Sequence, residues 1–245
     1  MPSHPSHAED SEDHSPPHAR PSRAVLPPAQ AQLRAVVLLV PIALLSLAPH
    51  FALWGLPEQP FPMSVGAASL FIAAFVIGTV LHEALHGVGH VWGEASWADV
   101  RFGMHWEALT PYARCTIPAR ARSYRLAVAL PGLVLGALPL AAGWWTGHWL
   151  TTFYGFLMLV AAAGDLLVLW ILRGVPSGAW VQDHPLQVGC IVVADAESAA
   201  PASVSKDDLP IDPSDEREEL SLFRIAMLLV IALACAFVGF LIALS

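Results

Sequence analysis

The stretch T-V-L-H-E-A-L-H-G-V-G-H, residues 79–90, holds three histidines and a glutamate, side chains that bind cations and move protons. His82 and His86 are four residues apart, and Glu83 directly follows the first. On a helix, residues four apart lie one turn above each other on one face. Two imidazoles can then grip one zinc ion while the carboxylate approaches a water bound to it, which is the chemistry of H-E-x-x-H. His90 extends the series to a third turn. A straight helix separates it from His82 by roughly 12 Å, too far for one tetrahedral ion. The spacing of His90 also misses the longer H-E-x-x-H-x-x-G-x-x-H arrangement, in which a glycine turn brings a third histidine round, so His90 is expected to be interfacial or to stand behind the ligands.

A tetrahedral catalytic zinc needs a third protein ligand, and the elements around the motif indicate where to look. The chain has 245 residues, 56% of them hydrophobic and 13% charged, with a mean hydropathy of +0.57. Soluble domains carry roughly 25% charged residues, so an integral membrane protein is expected. Five apolar stretches approach the roughly 20 residues that a spanning helix requires: Leu33–Trp54, Met63–Gly93, Tyr124–Trp145, Trp149–Arg173 and Leu222–Leu244. Within them stand two carboxylates, Glu83 and Asp165. Ionisable groups at membrane depth are costly and normally have a functional partner.

His82 lies eleven residues before Gly93, and Asp165 eight before Arg173. At about 1.5 Å per residue both sit roughly 12–16 Å from the same membrane face. Small residues, Gly78, Gly87 and Gly89 on one stretch and A-A-A-G-D (161–165) on the other, would let the two helices approach. The expected site is zinc held by His82, His86 and Asp165, with Glu83 as general base. Asp183, in the turn-like D-H-P after the fourth span, is the rival third ligand. His50, His105 and His148 have no matching partner and are expected to be structural or interfacial. Two other uses of the motif remain. One is a zinc-holding membrane scaffold without catalysis; the other is a haem protein with His82 or His86 and a histidine of another helix as axial ligands.

Arginines set the orientation. Arg20, Arg23 and Arg34 precede the first span; Arg101, Arg114, Arg120, Arg122 and Arg125 lie between the second and third or at their ends. Arg173 ends the fourth, and Arg217 and Arg224 flank the start of the fifth. Connections 55–62 and 146–148 contain no Lys or Arg. Positive charge therefore alternates, placing the N-terminus and the site toward the cytoplasm.

The expected fold is an all-α membrane protein of about five transmembrane helices. A small cytoplasmic-side β-hairpin lies between the second and third, from V-R-F-G-M-H-W and L-T-P-Y-A-R-C-T-I. Residues 181–193 read as a turn and a short strand. Residues 1–32, with His4, His7, His14 and His18, read as a disordered tail, 33–193 as the membrane-embedded core, 194–221 as an acidic flexible linker and 222–245 as the last helix. The net charge of −8 arises mainly in the tail and linker, so no nucleic-acid partner is expected. Cys115, Cys190 and Cys235 are too few and too scattered for a disulfide framework.

Taken together, H-E-A-L-H-G, F-G-M-H-W-E-A-L-T-P-Y-A-R-C-T-I-P, Y-R-L-A-V-A-L-P-G-L-V-L-G-A-L-P, A-A-A-G-D-L-L-V-L and V-Q-D-H-P-L-Q-V-G resemble the zincin-peptidase family of bacterial membrane proteins. That family is similar in layout to the site-two proteases. The resemblance runs from about residue 69 to 193 and implies a peptidase of the bacterial cytoplasmic membrane acting on membrane-protein or peptide substrates. It implies zinc on His82, His86 and Asp165, with Glu83 as base. Site-two proteases carry their aspartate in an N-x-x-P…D-G context, whereas here it follows a glycine.

Overall fold

The computed structural model describes residues 22–26, 28–58, 64–105, 110–184 and 188–195, with single positions 197, 199 and 201. The expected fifth span, most of the acidic linker and the first 21 residues lie outside them.

Helix α1 (Pro28–Trp54) is followed by α2 (Val65–Gly93), which Ser64 caps by accepting the Ala67 N–H. Helix α3 (Ala121–Pro131) runs through a π-helical stretch at Gly132–Ala137 into α4 (Leu138–Thr146). Leu33–Trp54, Val65–Gly93 and Ala121–Thr146 are long and apolar enough to cross a membrane. The stretch expected as a fourth span forms two helices, α5 (Trp149–Ala161) and α6 (Ala163–Leu172), which meet at an angle of 52°.

Strands β2 (Val100–His105) and β3 (Thr110–Cys115) form the expected hairpin, in register from Val100 opposite Cys115 to His105 opposite Thr110. The all-α expectation needs correction. A four-stranded antiparallel sheet, in the order β1-β6-β5-β4, stands at the same end of the helices. Its strands are β1 (Ser22–Leu26), β4 (Ala119–Arg120), β5 (Trp180–Asp183) and β6 (Val188–Ala194). Residues 22–26, expected within the disordered tail, pair along β6. Five residues between polar neighbours are too short to announce a strand whose partner lies some 165 positions away.

Sheet and bundle share one core. Ala121, Tyr124 and Val128 of α3, Leu172 of α6, Val181 of β5 and Cys190 of β6 are buried against one another. Arg125 ties the same joint, donating to the carbonyls of Leu172 and Val175 and to Ser177 Oγ. Arg125 thereby ties α3 to the segment Leu172–Ser177 that leads from α6 into the sheet.

At the opposite end, α1 locks onto α4 and α5 through polar contacts. Trp54 donates to the Trp144 carbonyl and Trp144 to the Ser46 carbonyl, both at 2.9 Å. His50 is buried against Thr152, Nδ1 to Oγ1 at 2.8 Å, and His148 bonds Thr151. Both histidines are structural here, as expected; the His105 side chain is outside the description.

Candidate metal centre

His82, Glu83 and His86 lie in the C-terminal half of α2, and both imidazoles are buried. Asp165 enters from α6. Because the span breaks at Ala162, Asp165 falls in the first turn of the new helix, where unpaired backbone N–H groups favour a carboxylate. His82 Nε2 lies 3.0 Å from Asp165 Oδ2, and His86 Nε2 lies 3.4 Å from Asp165 Oδ1. The two Nε2 atoms are 3.2 Å apart. A zinc tetrahedron with bonds of about 2.0–2.1 Å has edges of about 3.3 Å, so the spacing suits that ion.

The donor atoms themselves test the fit. Asp165 Oδ2 is buried without a hydrogen bond, although an imidazole nitrogen stands beside it. Three lone-pair-bearing groups converging away from water are costly unless something positive joins them. Two imidazoles and one carboxylate are the kind of donor set that a catalytic zinc uses, and these three could hold such an ion.

A proline orients one ligand. His86 Nδ1 lies 3.0 Å from the Ala127 carbonyl. A carbonyl only accepts, so Nδ1 carries the proton and Nε2 presents its lone pair toward His82 and Asp165. In a regular helix the Ala127 carbonyl would take the N–H of residue 131, but residue 131 is proline and has none. The freed acceptor fixes the imidazole tautomer, as the outer partner of a metal-binding histidine does. Gly89 makes the approach possible, since a Cβ there would collide with the Ala127 backbone. Among the described residues His82 lacks such a partner, its Nδ1 being buried without a hydrogen bond.

The expected small-residue packing is redistributed. Gly78 meets Tyr154 and Met158 of α5, Gly87 meets Phe102 of the hairpin and Gly89 meets α3; Gly164 faces open space. Glu83 is half-buried beside the triad, and the backbone N–H of Ala113 on β3 bonds its carboxylate. The hairpin therefore positions the only acid of the motif.

Asp183, the rival ligand, is engaged elsewhere. It accepts from the Tyr124 hydroxyl and from the Cys115 N–H at 3.0 Å. That carboxylate joins β5, α3 and the end of β3. His90 is buried with its ring edge-on to Tyr124, centroids 5.7 Å apart, behind the ligands rather than among them. Sequence reasoning did not single out Tyr124, Ala113 or Pro131. The spacing of Pro131 from Ala127 is readable in A-V-A-L-P, but only the fold shows which donor takes the released carbonyl.

Among the described residues, His82, His86 and Asp165 form a group with ligand atoms all within 4.8 Å of one another. No curated protein and no solved structure matches the chain. Residues 75–180 match the family described as "putative zincin peptidase", a segment that holds His82, Glu83, His86 and Asp165 and ends before Asp183.

Proposed function

We propose that this chain is a zinc metalloendopeptidase embedded in the bacterial cytoplasmic membrane, with a site-two-protease-like layout and a cytoplasm-facing site. The convergence of His82, His86 and Asp165 beside Glu83 carries the reading. The apolar surfaces of α1 and α2 support the location: Leu45 is 71% and Leu70 72% exposed, an arrangement that lipid accepts and water does not.

His82, His86 and Asp165 would hold a zinc ion, which would supply Lewis acidity toward a water and a peptide carbonyl. Glu83, fixed by the Ala113 N–H, takes the proton of the attacking water and returns it to the leaving amine. The substrate segment is extended at the site, because a helix shields its carbonyls. Hairpin β2–β3 offers an edge for pairing with it; among the described residues it is a two-stranded sheet. Burial of the imidazoles keeps bulk water from the ligands.

The test uses the full chain purified in detergent, measuring metal content and cleavage of an unstructured polypeptide such as casein. Wild type holds about one zinc and cleaves. Glu83→Gln keeps the zinc and loses at least about a hundredfold in rate, the usual contribution of a general base. Retained turnover in Glu83→Gln sinks the assignment. Zinc in both proteins with cleavage in neither identifies a non-catalytic zinc scaffold instead.

A further inference from the structure

On the hairpin, Arg101 of β2 stands directly opposite Arg114 of β3. Cross-strand partners project from the same face with Cβ atoms about 4.5–5.5 Å apart, and like charges there are destabilising. A second cost falls on the same face. Among the described residues, Arg114 Nε is buried and finds no hydrogen-bond partner, and a guanidinium N–H removed from water needs an acceptor. Among the described residues, no carboxylate forms an ion pair with either arginine. The nearby acid, Asp99, has its Oδ2 bonded to the Ser96 N–H at 2.9 Å and to the Ser96 hydroxyl at 2.6 Å. One anion held between the two guanidinium heads offsets the repulsion.

The surroundings indicate which anion. On the opposite face Val100 and Cys115 are buried, and the ring of Phe102, itself half-exposed, reaches α2 at Gly87. The arginine face therefore looks away from the helices. At the same end, Trp92 of α2 and Trp97, which reaches Gly87 beside Phe102, are 69% and 57% exposed. On the fourth-span side of this end, Arg173 stacks on Trp170 at 3.9 Å. Exposed tryptophans with arginines form the belt found at headgroup level, and anionic leaflets attract such basic segments. Paired guanidinium forks match a phosphodiester. We infer that Arg101 and Arg114 form a binding site for the phosphodiester of an anionic phospholipid headgroup, which clamps the hairpin to the membrane surface above Glu83.

The inference rests on the membrane location proposed above, and its test separates the two. Carbonate and high-salt washing of membranes first shows whether the chain is integral; release into the soluble fraction overturns both readings. The full-length chain is then examined in detergent by native mass spectrometry, with phosphatidylglycerol or phosphatidylcholine added. Wild type retains phosphatidylglycerol in preference to phosphatidylcholine. The Arg101→Gln/Arg114→Gln pair weakens that retention about tenfold, as loss of charge-assisted contacts predicts. Arg122→Gln, at an exposed arginine outside the pair, leaves it unchanged, and the lysine pair gives an intermediate value. Equal retention of both lipids, or equal loss in Arg122→Gln, overturns the site. Full displacement of lipid by millimolar inorganic phosphate would reassign it to free phosphate. Binding of an acidic peptide in place of lipid would reassign it to protein recognition.

Discussion

At the scale of single residues, two aspartates competed for one place and the fold gives each a separate task. Asp165 faces both imidazoles within 3.4 Å, whereas Asp183 takes the Tyr124 hydroxyl and the Cys115 N–H. Asp165→Ala therefore loses zinc affinity by more than about a hundredfold, exceeding the cost of a lost outer partner. Asp183→Asn keeps the metal and destabilises the fold by about 1–3 kcal/mol, the cost of weakening charge-assisted hydrogen bonds. Metal content and thermal unfolding of the two purified variants check this. Zinc lost from Asp183→Asn and kept by Asp165→Ala would invert the assignment. Depth counting could favour Asp165 because helical rise is regular. It could not dismiss Asp183, because the path of a loop at the membrane surface is set by contacts such as that with Tyr124, distant in sequence.

At the scale of elements, the site depends on two interruptions. The break at Ala162 restarts the fourth span so that Asp165 sits in a first turn, and Pro131 releases the carbonyl that orients His86. Hydrophobic run lengths located the first three of these helices: Leu33–Trp54 recurs as expected, and Met63–Gly93 and Tyr124–Trp145 differ by a few residues at their ends from Val65–Gly93 and Ala121–Thr146. Run length carries no record of a bend, because a straight and a bent pair of helices can share one apolar run. Proline is visible, but its effect depends on which neighbour brings a donor. Pro131→Ala restores an N–H at position 131, which competes with His86 Nδ1 for the Ala127 carbonyl. The expected result is a 10- to 100-fold fall in zinc affinity, within the range about 10–100-fold known for outer partners. Nitrogen chemical shifts of labelled histidine then show His86 losing its fixed tautomer. Unchanged shifts and unchanged zinc affinity would mean that the carbonyl has no orienting part.

For the whole molecule, the question is whether the sheet is an appendage or part of the body that holds the site. The buried set of Ala121, Tyr124, Leu172, Val181 and Cys190 crosses the boundary between bundle and sheet. Cys190 reports on it. Burial foremost, with Asp183 opposite it in register, pushes its thiol from 9.0 up to about 12. At pH 8 its thiolate is then roughly a thousandfold scarcer than that of an ordinary cysteine, and alkylation slows in proportion. The native state keeps this proton between pH about 9 and about 12 while the unfolded chain loses it. Its contribution to stability is therefore complete below pH 9 and is lost as pH rises through that window. Val181→Ala, at a fully buried strand position, removes two methyl groups from the shared core and costs about 1–3 kcal/mol. If sheet and bundle form one cooperative body, that change accelerates Cys190 alkylation and loosens zinc together. Peptide mapping of alkylated Cys190 beside metal content measures both in one sample. Faster Cys190 alkylation with zinc retention unchanged would show the sheet opening alone, leaving α3, α6 and the hairpin as sufficient support for the metal centre.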